Sequence, residues 1–453
     1  MNRQYAGQDE AMGKLLARAG DEPVVLLHSG RFDARWARRS VMARPRGWYR
    51  CWGDGRVEVS GFEFRVSSGN LWRDLRVLLH DERLGGRWIG YFAYDVCRLI
   101  EREKLGATPG SGESPIVELA WCPEVEMFGA ISDFGFRISD CQSAIRNPQS
   151  AIHSNFTRNE YEAAVQRVID YIAAGDVFQV NLSQQLRAEW RGQPRELFAR
   201  LATISPAWYG AYLELPRLAA GVSPRFVLST SPELFLQVEN GHVITRPIKG
   251  TRPRSSRRGQ LIAPAAPAER ELRDSAKDTA ELNMIVDLMR NDLGKVCAYG
   301  SVKVTAARDI ETHPTIHHGV ATIEGQLHES RDIVDLLRAT LPGGSVTGAP
   351  KVRAMQIIDE LERCSRGVYC GAIGWLTKDA CQFNVAIRTM SLERDEGTPG
   401  SKGRRDEGKY RVVFPVGGGI VADSQPADEY DETMAKAQAM LRALGGCGDG
   451  GGN

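Results

Sequence analysis

Residues 231–251 read Ser231-Pro232-Glu233-Leu234-Phe235-Leu236-Gln237-Val238-Glu239-Asn240-Gly241-His242-Val243-Ile244-Thr245-Arg246-Pro247-Ile248-Lys249-Gly250-Thr251. Two strand-like runs, residues 234–239 and 242–246, flank Asn240-Gly241, a strong two-residue turn signal. Such a turn pairs Glu239 with His242 and sets Glu233 opposite Ile248. A one-residue bulge at the turn sets Glu233 opposite Lys249 instead. Either register gathers an amine and a carboxylic acid at one end of a sheet. On an open surface that pair would be a weak ion pair; at a sheet end it is a potential nucleophile beside a potential proton donor. Pro247 cannot donate to a ladder, which suits a sheet edge or a strand that is ending.

Composition bounds what surrounds this hairpin. The 453 residues can bury a large core as two or three domains or as one two-lobed unit. Lys and Arg number 58 against 57 Asp and Glu, a balance that favours neither nucleic acid nor an anionic membrane as partner. No apolar run approaches the ~18 residues of a membrane span, and residues 1–10 lack a signal-peptide apolar core. The chain reads as soluble and cytoplasmic. Nine cysteines without a C-x-x-C pair fit a reducing compartment better than a disulfide framework, and Cys364 and Cys370 lack a matching zinc set.

Segment 1–140 mixes strand-like and helical stretches, with the aromatic run Trp88-Ile-Gly-Tyr-Phe-Ala-Tyr94 read as core. Residues 141–155 form a linker carrying the short duplication Gln142-Ser-Ala-Ile145 and Gln149-Ser-Ala-Ile152. Segment 156–445 holds the opening hairpin and reads as the larger domain, the candidate for any catalytic role, and 446–453 as a glycine-rich flexible tail. Thr157-Arg-Asn-Glu160 is a capping-box pattern for a helix that Gly175 ends. Period two then sets Phe178, Val180, Leu182, Leu186, Ala188 and Trp190 on one strand face, with Gln179, Asn181, Ser183 and Gln185 opposite, facing a polar cavity. Residues 252–270 read as an exposed loop beside Lys249, and residues 393–408 as a hairpin excursion between strand-like runs 382–392 and 410–416. Many strands and few β-α alternations point to an α+β protein with large, mostly antiparallel sheets.

Several other side chains are placed for chemistry. Asp278 and Glu281 share a helix face, as do Glu429 and Glu432, with Lys436 one turn later. Brought together, the two pairs make a hard-oxygen site suited to Mg2+. Gly417-Gly418-Gly419 permits close backbone approach and an anion-binding nest. Thr347-Gly348-Ala349-Pro350 precedes an apolar-periodic helix whose first N–H groups suit a carboxylate. Neither stretch is a nucleotide-binding motif. Arg388 interrupts an apolar strand-like run, 383–389, at a cost that an anion would offset.

Read together, Ser231-Pro-Glu-Leu and Arg246-Pro-Ile-Lys-Gly-Thr251 resemble component I of the aminodeoxychorismate (para-aminobenzoate) synthases, a family of chorismate-utilising enzymes. The related anthranilate synthase component I usually has alanine where this chain has Lys249. Further matching motifs are Gly175–Ser183, Ser275–Glu281, Met284–Gly294, Leu341–Lys351, Phe383–Thr389 and Gly417–Ser424, spanning roughly residues 155–445. The resemblance implies a two-lobed sandwich of mostly antiparallel sheets with helices outside. It implies that Lys249 attacks carbon 2 of chorismate while Glu233 protonates the departing 4-hydroxyl. It places Arg388 and Tyr369 on the enolpyruvyl carboxylate and His318 near the ring substituents, and counts Thr251, Thr347, Gly348, Gly417, Gly418, Gly419 and Lys436 with the substrate. Mg2+ is implied as cofactor, with Glu281 and Glu432 its leading ligands and Asp278 and Glu429 beside them. Where water-adding relatives have a lysine base, this chain has Gln179, which leans against an isochorismate-forming activity. Leu26-Leu-His-Ser29-Gly30 resembles a segment lining a tryptophan pocket.

The implied activity is conversion of chorismate and ammonia to 4-amino-4-deoxychorismate, in para-aminobenzoate and folate biosynthesis. No nucleophile elbow with a matching histidine is evident, so ammonia is expected from a separate glutamine amidotransferase subunit, or from solution at high ammonium. The enzyme alternative is anthranilate synthase component I; a different class is a catalytically silent amino-acid-binding regulatory protein.

Overall fold

The computed structural model describes residues 9–18, 22–31, 33–61, 69–106, 114–129, 152–217, 223–253, 256–257, 260–261, 266–312, 316–362, 364–395 and 408–445. Among the described residues, two large antiparallel sheets, one of ten strands and one of eleven, organise the fold, with ten α-helices around them. The α+β class and the sheet type expected from the strand-rich pattern are both present.

The hairpin that opens the sequence reading forms with Glu239 opposite His242, and Asn240 and Gly241 both adopt positive φ, 52° and 77°. The bulge falls within the first strand, between Leu234 and Gln237, and not at the turn. It shifts the register so that Leu234 faces Arg246, the opposite direction from the bulge considered above. Pro247 interrupts the second strand: His242–Arg246 and Ile248–Pro253 are separate strands on the same neighbour, Ile316–Gln326. The missing donor thus divides one long ladder at the point where Lys249 enters the site.

In the ten-stranded sheet, Gln179–Arg191 and Lys409–Ile420 pair along their whole length, from Lys409 opposite Arg191 to Ile420 opposite Val180. Outward-facing Leu186, Ala188, Trp190, Val412 and Phe414 pack under helices Pro194–Ile204 and Pro426–Ala443. Val180 and Leu182 join the larger core, to which both sheets contribute. Alternation holds in the outer half of Gln179–Arg191, whereas residues 179–184 are buried on both faces. Phe178, expected to pack, is instead 71% exposed.

Segments 1–140 and 156–445 both supply strands to both sheets. Val25–His28 pairs with Tyr209–Leu215, and Arg87–Phe92 pairs with Ala372–Leu376. The aromatic run from Trp88 is core, as its composition indicates. Thr157 and Glu160 complete a reciprocal capping box on helix Arg158–Ala173. Most of the 141–155 linker with its duplication, and the 446–453 tail, lie outside the described residues; His153–Ser154 adds a short strand beside Arg187 and Leu186. The stretch read as an exposed loop, 252–270, runs into helix Ala266–Asp274. Run 382–392 is divided into Ala380–Val385 in one sheet and Thr389–Arg394 in the other. The seven described cysteines are free thiols, and among the described residues no helix is long and apolar enough to cross a membrane.

Candidate active site

A cavity of about 780 Å³ opens where the end of strand Ile248–Pro253 meets helices Ala276–Gly294 and Pro426–Ala443. It gathers Glu233, Lys249, Thr251, Asp278, Glu281, His318, Tyr369, Arg388, Gly417, Gly419, Glu429, Glu432 and Lys436, residues far apart in sequence.

Glu233 is 4% exposed, and burial pushes its carboxyl up to about 7 against the opposing pull of Ser345, Lys249 and the Ile248 N–H. Ser345 Oγ donates to Glu233 Oε1 at 2.6 Å. The Glu233 backbone is fixed too: its carbonyl accepts from Val385 N–H at 3.0 Å, and its N–H donates to Ser231 Oγ at 3.2 Å. Burial pushes Lys249 below the ordinary lysine range; Glu281 opposes this, and Lys436 adds to it. The two groups therefore sit close to the protonation states that a nucleophile and a general acid need, an amine that deprotonates easily and a carboxyl that stays protonated. A Cβ built on Gly419 would fall 2.6 Å from Gln179 Nε2 and 2.9 Å from Lys249 Nζ, so this glycine keeps the lysine's space open. Gln179 itself is fully buried, with neither amide atom hydrogen-bonded among the described residues.

Arg388 is not inside a strand. It occupies the corner where the chain leaves one sheet for the other, with φ of 50°, a conformation costly for a long side chain. Its guanidinium has no ion-pair or hydrogen-bond partner among the described residues, and burial lowers it to about 10. A cation so placed is matched to a carboxylate arriving with a ligand. Tyr369 lines the cavity nearby, and His318 Nδ1 lies 2.8 Å from Thr251 Oγ1.

The four carboxylates expected around a metal line the same cavity, but not as four free ligands. Asp278 accepts from Arg252 at 3.0 Å, Glu432 pairs with Lys436 at 2.7 Å, and Glu429 accepts from Ser424 Oγ at 2.6 Å. Among the described residues no group of three or more such side chains is close enough to enclose a metal ion. Lys436 holds Glu432 below its usual range; burial lifts Glu281 and Glu429, and Glu432 pushes both further up. This cluster of mutually repelling carboxylates fits Mg2+ held by one or two of them, with water and substrate oxygens completing the shell.

Thr347 and Gly348 are not among the lining residues. Thr347 is fully buried and donates to Gly343 O at 3.0 Å, while Gly348 pairs with Val180 so closely that a Cβ would fall 2.1 Å from Gln179 O. Gly418 stands just behind the wall, where a Cβ would lie 3.1 Å from Glu429 Oε2. Ser29 is elsewhere: its hydroxyl donates to Arg39 O at 2.8 Å and its N–H to Ser40 Oγ at 3.0 Å. Ser345 and Lys277 line the cavity without having been singled out. Both lie inside recognised motifs, and only the folded contacts distinguish them from their neighbours.

A model of the chorismate binding enzymes matches residues 38–442. The chain belongs to the chorismate-binding enzymes. Within this family it is 44% identical over 298 residues to aminodeoxychorismate synthase component 1 of Salmonella typhimurium, covering 65% of this chain and 60% of that protein. The chain thus spans less than two thirds of the length of that relative. It is 35% identical over 398 residues to anthranilate synthase component 1 of Pseudomonas aeruginosa, covering 80% and 75% of the two chains. The crystal structure of anthranilate synthase component I from Streptococcus pneumoniae superposes with a TM-score of 0.70 at 27% identity, covering 95% and 96%. The menaquinone-specific isochorismate synthase of Escherichia coli shares the fold at 16% identity, TM-score 0.68, covering 96% and 91%.

Proposed function

We propose that this chorismate-binding enzyme aminates chorismate at carbon 4, giving 4-amino-4-deoxychorismate with ammonia from a separate glutamine amidotransferase. The observation that carries this reading is Lys249, an amine pushed toward neutrality in the same cavity as Glu233, whose carboxyl is held protonated to about pH 7. Alanine, usual here in the anthranilate-forming relatives, could supply no such nucleophile.

The neutral Lys249 amine adds to ring carbon 2, and the electron pairs shift through the ring as the 4-hydroxyl leaves with the Glu233 proton as water. Ammonia adds at carbon 4 and the electron shift reverses, releasing neutral Lys249. The new ammonium group then returns a proton to Glu233. Atoms and charge balance as chorismate plus ammonia giving product plus water. Arg388 pairs with the enolpyruvyl carboxylate, with Tyr369 beside it. Glu281 and Glu432, with Asp278 and Glu429 near, would hold Mg2+, which would supply charge neutralisation and orientation of the ring carboxylate.

Glu233 acts while protonated, so turnover declines as pH rises past about 7. Lys249 acts while neutral, so turnover also declines toward low pH, giving a bell-shaped profile. Gly419→Ala is expected to lower kcat about 100-fold with little change in melting temperature, since the added methyl displaces Lys249 and Gln179 and not the backbone. Wild-type turnover in this variant, read by chorismate consumption, would show that the lysine needs no such space.

The source of ammonia is tested directly. The purified chain should turn over chorismate with ammonium salts and fail with glutamine until an amidotransferase is added. Glutamine-driven turnover by the chain alone would remove the need for a partner.

A further inference from the structure

Motif Leu341–Lys351 contributes neither Thr347 nor Gly348 to the cavity, yet its loop is held by several side-chain hydrogen bonds. Lys351 Nζ binds Asp292 and donates to Thr340 O at 3.1 Å and Pro342 O at 2.9 Å. Arg366 Nη1 donates to Val346 O at 2.9 Å, and Thr347 Oγ1 to Gly343 O at 3.0 Å. A Cβ on Gly344 would fall 2.9 Å from Leu288 Cδ2, so the turn Gly344–Val346 is also packed against helix Ala276–Gly294. These bonds fix Ser345, which lines the cavity with its neighbour Val346; Ser345 is 7% exposed, and its hydroxyl donates to Glu233 Oε1 at 2.6 Å.

We propose that Ser345 is the positioning residue for Glu233: its hydroxyl holds Oε1 as an acceptor, which leaves the transferable proton on Oε2. The assignment rests on the role of Glu233 as general acid given above. A carboxyl with both oxygens free exposes the acidic proton on either, and half of those arrangements point it away from the leaving hydroxyl. A donor fixed on one oxygen removes that ambiguity before substrate arrives. The same bond favours the ionised form, so losing it raises the carboxyl's pKa above about 7. The charged and titratable groups facing Glu233 are Lys249 from strand Ile248–Pro253 and Cys370 from the turn before Ala372–Leu376. Tyr369, His318 and Arg388 line the same cavity.

The test is the pH dependence of chorismate consumption, read whatever the product, for wild type, Ser345→Ala and Ser345→Thr. Ser345→Ala is expected to lower kcat about 10- to 100-fold, leave KM within about threefold, and move the alkaline limb up by about one pH unit. Ser345→Thr, which keeps the donor, should return the limb to the wild-type position. An unshifted limb in the alanine variant, or a threonine variant as shifted as alanine, would overturn the assignment. Should the alanine variant not fold, Ser345→Cys, a weaker donor, must give an intermediate shift, and no shift counts against the proposal. Infrared titration of the protonated carboxyl band, assigned by its loss in Glu233→Gln, reads the same change without turnover. If that band moves with Ser345 while the limb does not, the bond is real and the acid role of Glu233 is what fails.

Discussion

Lys249→Ala is expected to lose aminodeoxychorismate formation by about 10³-fold or more, the scale on which removal of a covalent nucleophile is felt when general acid and binding groups remain. Wild-type enzyme with chorismate and ammonium should give a product that keeps its enolpyruvyl group, with no direct pyruvate release. In the mutant, the space beside Gly419 is widened, and trace anthranilate is expected because ammonia can then reach carbon 2. Product masses for both proteins, with pyruvate assayed in parallel, decide the matter. Wild-type enzyme releasing anthranilate and pyruvate in equal amounts would favour the reading shared with the 35% identical Pseudomonas aeruginosa relative. Binding without any consumption of chorismate would favour a silent regulatory protein.

Removal of metal, or of either leading ligand, should be nearly as severe. Glu281→Gln and Glu432→Gln are each expected to lower turnover more than about 100-fold and to abolish the magnesium dependence of substrate binding. Two effects of Glu281→Gln oppose each other. Glu281 holds up the Lys249 pKa, so its neutralisation leaves more of the lysine neutral and ready to attack. That gain stops once the lysine is fully neutral, whereas an uncompensated ring carboxylate among buried acids weakens every turnover. The loss therefore wins. Calorimetry with and without Mg2+ measures the binding arm, and full turnover in excess chelator would end the proposal.

The hairpin, its Asn240-Gly241 turn and the capping box at Thr157 were legible because each depends on residues a few positions apart. The bulge between Leu234 and Gln237 was not, because this strand has a neighbour on each side, and its pairing with Ala380–Val385 shifts at the same place as its pairing with His242–Arg246. Arg388 was recognised as a cation that needs an anion, but its corner between sheets was hidden: an apolar run does not record which sheet it enters. The resemblance counts Thr347 and Gly348 with the substrate, and a helix start does offer free N–H groups. The chain spends that stretch on pairing with Gln179–Arg191 instead. Ser345 went unread since a serine in a glycine-rich loop has no pattern of its own; its meaning lies in a contact across 112 positions.

The weaving of early and late strands through both sheets has a consequence for how the molecule is made. Arg87–Phe92 lies between Val117–Cys122 and Ala372–Leu376, and Val25–His28 between Arg39–Ala43 and Tyr209–Leu215. On the ribosome the first of these strands acquires one neighbour at once and waits for the other until most of the chain has emerged. During that wait its edge is open to other nascent chains. Assembly should accordingly be slow and late, with a heavy reliance on chaperones. Chains severed between residues 129 and 152 should yield two insoluble halves, which recover a sheet only when both are produced together.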